Sequence, residues 1–212
     1  REAIVASRDY YTGLSHLSAE IGDDFAPLQN EAKHDTALVF LSADNSLYGD
    51  IFDKVCSSFL PAIRANPKAD VFVVGQLGIT LMKTLAPKVP IKEITMSPDF
   101  VKSLFDYNHV QLFYGEFKSI AKQESQLRII SANELKPDKM LLSDMEIKLK
   151  YLYEPTPTEI ASVFAQQIFS GLFQQASSEN ELAKNASRLM HLDQALTPID
   201  RHLTTDTKKY RT

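Results

Sequence analysis

Apolar positions along this chain switch between helical spacing and short unbroken runs, and each switch marks an element boundary. Residues 1–21 carry Ile4, Tyr11, Leu14, Leu17 and Ile21 at roughly helical spacing, with a polar opposite face. Gly22 and Pro27 end that pattern. Residues 36–42 form a continuous apolar run, the pattern of a strand buried on both faces. A polar loop from Ala43 to Ser46 follows. Ile51, Val55, Phe59 and Ile63 then recur every four residues and predict a helix from Leu47 to Ala65. Val71 to Val74 predicts a second buried strand, leading through Gly75 into a short helix from Gly78 to Leu85. Pro87 and Pro90 bracket the turn into a third apolar segment, Ile91 to Met96.

Pro98 and Asp99 suit the first turn of a helix from Phe100 to Tyr107. Val110 to Ile120 predicts a long strand and Leu127 to Ser131 its hairpin partner. Segment 133–145 is polar and loop-like, and Lys148 to Tyr153 predicts one more strand. From Pro157 helical spacing returns, with Thr158 as a cap and Glu159 in the first turn. Ile160, Phe164, Ile168, Leu172 and Phe173 give one apolar stripe, which Leu182, Ala186, Leu189, Leu196 and Leu203 continue. Pro198 predicts a kink or brief interruption. Strand and helix alternate through the middle of the chain, so the fold class is α/β, a mostly parallel central sheet flanked by helices.

Composition narrows the function. Over 212 residues the formal net charge is −4, which supplies no basic face for nucleic acid. No window approaches the ~18 consecutive apolar residues of a membrane span. Cys56 is the single cysteine, so there is no internal disulfide and no cysteine-based zinc site. The Walker and dinucleotide glycine patterns are absent. Gly75-Gln76-Leu77-Gly78 has too few glycines to cradle a pyrophosphate and reads as a structural turn. His16, His34, His109, His191 and His202 show no metal-ligand spacing, so neither metal nor cofactor is expected. One segment keeps a ligand reading open. The loop Ser42 to Asp50 follows the first strand at its carboxyl end, where open α/β sheets bind ligands, and Asp44 and Asp50 could hold a metal or ribose there. The alternative is that Asp44, Asn45 and Ser46 are cap and turn residues.

Three segments carry a resemblance to a known family. Tyr151-Leu152-Tyr153-Glu154-Pro155 joins an aromatic segment to a strong helix start. The loop after the first strand has Ser42, Asp44, Leu47 and Gly49 in an order followed by Ile51 and Phe52, while Asn45, Ser46, Tyr48 and Asp50 depart from the pattern. In the last helix, Ala176-Ser177-Ser178-Glu179, Leu192-Asp193-Gln194-Ala195 and Leu203 through Tyr210-Arg211 stand at close to the family separation. Together they resemble the gamma subunit of rotary F-type ATP synthases, as a divergent member.

The resemblance implies a rotor subunit without catalysis of its own, coupling ion-driven ring rotation to ATP synthesis or hydrolysis in the catalytic head. It implies three parts: a partial shaft helix over 1–30, a central foot over 34–153, and a partial C-terminal shaft helix over 157–212. The two helices would pack as an antiparallel pair, with both ends of the family's coiled coil lying beyond this chain. The implied partners are ATPase alpha and beta subunits, an epsilon or delta-like stalk subunit and the membrane c-ring, which makes the chain a peripheral membrane protein. That membrane would be the bacterial inner membrane on its cytoplasmic face, or the equivalent side of an organelle membrane. Tyr151, Tyr153 and Glu154, with Asp44, Asn45 and Tyr48, are the candidate partner-interface residues. Two other readings stand beside this one: a free-standing α/β domain binding a small molecule or nucleotide, and a gamma-like subunit of a specialised rotary ATPase.

Overall fold

The structure is a computed structural model that describes residues 34–45, 48–131 and 157–209. The helix expected over 1–21, the loop over 133–145 and the strand Lys148 to Tyr153 lie outside the described residues. Five strands form one sheet: β1 (His34–Leu41), β2 (Asp70–Val74), β3 (Ile91–Ile94), β4 (Tyr107–Ser119) and β5 (Lys122–Ser131). Four helices accompany them: α1 (Ile51–Ala65), α2 (Gln76–Leu85), α3 (Pro98–Leu104) and α4 (Pro157–Lys209). The strand order is β3-β2-β1-β4-β5. Three pairings are parallel, and the β4–β5 hairpin is antiparallel.

The sheet is covered on both faces because β1 is apolar on both. Ala37, Val39 and Leu41 point to one side, where they pack with Phe100 and Leu104 of α3 and Phe169, Phe173 and Ala176 of α4. Leu38 and Phe40 point to the other, against Phe52, Val55 and Phe59 of α1 and Ile79 and Met82 of α2. Pleating sends successive side chains to opposite faces, so a strand with no polar face requires a layer on each. Phe40 is fully buried, and its ring lies 5.3 Å from Phe59 and 6.5 Å from Phe52.

Several boundaries differ from the sequence expectation by a few residues, with β5 starting at Lys122 rather than Leu127 and β3 ending at Ile94 rather than Met96, and three of the differences have a local reason. Helix α1 starts at Ile51 rather than Leu47, because Gly49 sits at φ +64°, a left-handed conformation that no helix continues through. Helix α3 runs from Pro98 to Leu104, capped by Ser97, whose Oγ accepts from Phe100 N–H at 3.2 Å. Tyr107 does not end that helix. It opens β4, where its hydroxyl donates to Asp70 Oδ2 at 2.6 Å, so a tertiary hydrogen bond draws it into the sheet. The expected interruption at Pro198 is also missing, since α4 is helical through it. The proline removes one hydrogen bond, to the Gln194 carbonyl, at a residue that is exposed, where solvent is available to the carbonyl.

Phe40→Ala should cost about 3–5 kcal/mol of stability, as a lost transfer energy plus a cavity, read as a lower denaturant midpoint. A change under about 1 kcal/mol would show that this face of β1 is not tightly packed.

Candidate functional site

The loop between β1 and α1 places its residues in four different surroundings. Asp44 Oδ1 accepts from the backbone N–H of Gln76 at 3.3 Å, at the start of α2, so this carboxylate complements a helix N-terminus. Asn45 is exposed. Asp50 pairs with Lys54 one helical turn on, at 2.9 Å, with both side chains about half exposed. Asp44 and Asp50 line separate grooves and do not converge. Tyr48 turns inward. Its ring meets Phe52 edge-on at 6.1 Å, with Lys184 Nζ 5.3 Å and Arg188 Cζ 6.0 Å from its centroid. Tyr151, Tyr153 and Glu154 lie outside the described residues.

A cleft of about 500 Å³ opens at the carboxyl ends of β1, β2 and β3, closed on one side by α4. Its charged lining is Asp44, Glu93, Glu181 and Lys184. Those groups already have partners: Glu93 with Lys83, Glu181 with Lys184, and Asp44 with Gln76 N–H. The amides a phosphate would need are taken as well, since Leu77 N–H donates to the Ala43 carbonyl at 2.8 Å. The two glycines here serve close packing. A Cβ on Gly75, at φ +94°, would lie 2.8 Å from the Ala43 backbone, and one on Gly78 would lie 2.6 Å from Ser42 Cβ. Among the described residues no group of three or more His, Cys, Asp or Glu is arranged to hold a metal ion.

Helix α4 is where the geometry becomes distinctive. Phe169, Phe173, Ala176, Asn180, Ala183 and Ser187 are buried, at alternating steps of three and four, which forms a seam along one side. Polar groups fix its register on β4. Pairing of β1 with β4 ends at Phe113, and beyond it the Gly115 N–H donates to Asn180 Oδ1 at 2.9 Å. Tyr114 donates to Glu179 Oε2 at 3.1 Å, and Gln175 Nε2 donates to Glu179 Oε1 at 3.0 Å. Gly115 makes room for both α1 and α4, since a Cβ there would lie 2.9 Å from Ile51 Cγ1 and 3.2 Å from Ala183 Cβ. Burial, and then the Glu179 carboxylate, push the Tyr114 hydroxyl well above the ordinary tyrosine range.

A second seam runs on the other side of α4. Leu182, Leu189, Leu192, Leu196, Ile199 and Leu203 are all exposed, from 47% at Leu182 to 60% at Leu203. Their steps of seven, three, four, three and four make a heptad stripe. Each lies two residues along from a position of the buried seam or its continuation, about 200° round the helix. Sequence periodicity read Leu182, Leu189, Leu196 and Leu203 as continuing the first stripe. They belong instead to the opposite side, a distinction invisible without knowing which side meets the sheet. Among the described residues no helix is long and apolar enough to cross a membrane.

A family profile described as ATP-synt, ATP synthase, matches residues 1–212. Among solved structures, the central stalk and c-ring of Tetrahymena thermophila mitochondrial ATP synthase contains a similar chain, at TM-score 0.60 and 14% identity. The match covers 89% of this chain and 100% of that one. A chain of the Euglena gracilis mitochondrial ATP synthase rotor matches at TM-score 0.56 and 15% identity, over 100% of this chain and 94% of that one. At these identities the likeness is one of fold. No curated protein sequence matches significantly.

The tyrosine shift sets a pH dependence. A phenol whose pKa is raised on folding contributes stability that is intact below its unfolded value of about 10 and is lost as pH rises towards its folded value. Tyr107 is raised as well, by burial first and then its bond to Asp70, so two groups act in that window. Tyr114→Phe should therefore lose about 1 kcal/mol at neutral pH, the bond to Glu179, yet fall less steeply above pH ~10. Denaturant midpoints from pH 7 to 12 measure both, and an unchanged alkaline slope would contradict the assignment.

Proposed function

We propose that this chain, which belongs to the gamma-subunit family of ATP synthase and is a stalk subunit of that rotary assembly, couples rotation of a membrane ring to the catalytic head. The observation that carries the reading is the pair of opposed seams on α4. One seam seats the helix on the α/β domain, and the other is left apolar along a segment that projects beyond it. From Ser187, the last buried residue of α4 among the described residues, the helix continues for roughly 30 Å to Lys209. A helix of 53 residues with a heptad stripe on its free length is built to pair with another helix.

Residues 1–30 are the proposed occupant. Their apolar positions Ile4, Tyr11, Leu14, Leu17 and Ile21 would offer a stripe to the exposed leucines, in the antiparallel pair that the sequence resemblance implies. The domain over 34–153 then acts as the foot and the helix pair as the shaft. Rotation of an asymmetric shaft inside a ring of catalytic subunits forces them between states as a rigid-body switch. The chain contributes geometry to the reaction and performs no bond chemistry of its own.

The similar chains belong to a central stalk with c-ring, a rotor, and an F1 with OSCP and c-ring, which supports the partner set that the sequence resemblance implies. It comprises ATPase alpha and beta subunits, an epsilon or delta-like stalk subunit and the c-ring, holding the chain at the membrane on the side that bears the catalytic head. Tyr151, Tyr153 and Glu154 remain the proposed ring-facing contacts, as rigid aromatic anchors with a carboxylate beside them. Asp44 and Tyr48 are engaged within the chain, which leaves Asn45 as the member of that loop free to meet a partner.

The full-length protein, tagged and drawn from gently solubilised membranes, should bring alpha and beta subunits in excess over itself. Leu192→Asp with Leu196→Asp should abolish that recovery while the domain still folds, because charges in a heptad seam break helix pairing. Recovery of the chain alone from the soluble fraction would refute the rotor reading.

A further inference from the structure

The β1–α1 loop resembles a partner surface in sequence, but two of its residues face the chain's own long helix. Tyr48 lies against Lys184 and Arg188. At Gly49 a Cβ would collide with the His191 ring and lie 2.8 Å from Ser187 Oγ. Positions 184, 187, 188 and 191 share one face of α4, since residues three and four apart are neighbours on a helix. They include Ser187, the last buried residue of α4 among the described residues. Beyond His191 the described side chains, 192–196, 198, 199, 202 and 203, are all exposed. The loop therefore holds α4 where it leaves the domain.

We infer that Tyr48 and Gly49 form a clamp that fixes the direction of α4 at its exit, and that load passes between domain and helix through it. The second half of this statement rests on the rotor reading, and the first half does not. Two features make the loop a clamp rather than a passing contact. Gly49 adopts φ +64°, so any other residue there is strained, and its missing Cβ is what admits the His191 ring. Tyr48 offers its ring to two cations, of which Lys184 is held in place by Glu181 and keeps only 11% of its side chain exposed.

The contact also leads inward. Tyr48 meets Phe52 at 6.1 Å, Phe52 meets Phe40 at 6.5 Å, Phe40 meets Phe59 at 5.3 Å, and Phe59 meets Phe113 at 5.0 Å. A line of packed rings thus joins the helix exit to the centre of the sheet, and close-packed interiors transmit strain. A sideways force on the free length of α4 acts like a load on a cantilever. The supports nearest the free end then carry the largest reaction, and this loop is one of them, beside the β4–β5 turn that lines a groove with Met190, His191 and Gln194.

The test uses Tyr48→Leu and Gly49→Ala, with Tyr48→Phe as the conservative variant and Met82→Ala, at a buried position of α2 outside the line of rings, as a core control for general destabilisation. In the purified full-length chain, amide hydrogen exchange over 184–191 should quicken about fivefold in Tyr48→Leu and Gly49→Ala relative to exchange over 169–180. Tyr48→Phe should keep the native rate, and Met82→Ala should shift both segments alike. In the assembled membrane complex, the ratio of ion pumping to ATP hydrolysis should fall in Tyr48→Leu and Gly49→Ala and be restored by Tyr48→Phe. Unchanged exchange in both variants would overturn the clamp. Faster exchange with an unchanged pumping ratio would overturn the load-bearing half and leave the rotor reading standing. A native chain that never joins alpha and beta subunits would overturn the rotor reading while the exchange result still decides the clamp.

Discussion

Because β1 has no polar face, neither side of the sheet can stay open to water. Helices α1 and α2 follow the strands they connect and cover one face. The other is covered partly by the seven-residue α3 and mainly by α4, which arrives after the hairpin of β4 and β5. The demand for a second layer thus recruits the long C-terminal helix and sets its direction. The same burial fixes where it ends: α4 leaves the sheet once the strand side chains beneath it run out. Everything that gives the helix a lever length follows from that fit.

The polar contacts along the α4 seam refine the fit. Hydrophobic burial is non-directional and would tolerate a helix slid by a turn. Asn180 on the Gly115 N–H and Glu179 on the Tyr114 hydroxyl would be stranded by such a slip. A buried donor without an acceptor costs more than the bond itself contributes. Register is therefore specified by two hydrogen bonds within a stripe of apolar packing.

Residues that invite a chemical reading are used for construction. Asp44 complements a helix N-terminus, Asp50 pairs along its own helix, and Gly75 and Gly78 permit close approach of α2 to the ends of β1 and β2. Tyr48 and Gly49 hold α4. The position at the carboxyl end of a first strand, where α/β sheets bind ligands, here receives a helix instead. The cleft beside it keeps the shape of a binding site, while its carboxylates and amides are spent on contacts within the chain.

The sequence by itself determined the elements and their class. An unbroken apolar run at 36–42 requires a doubly covered strand, alternation with helices requires a mostly parallel sheet, and a hairpin follows from two apolar runs joined by a short polar turn, because these patterns depend only on near neighbours. The resemblance carried by Tyr151 to Pro155 and the segments downstream pointed to the family that the full-length match shows. Tertiary structure decided the rest. Which side of α4 meets the sheet separates a buried seam from an exposed one, and periodicity alone joins them. That Tyr107 belongs to β4, and that Tyr48 and Gly49 face inward, depend on partners 37 or more than a hundred residues away in the chain. Local spacing records which residues avoid water, but only packing establishes against what.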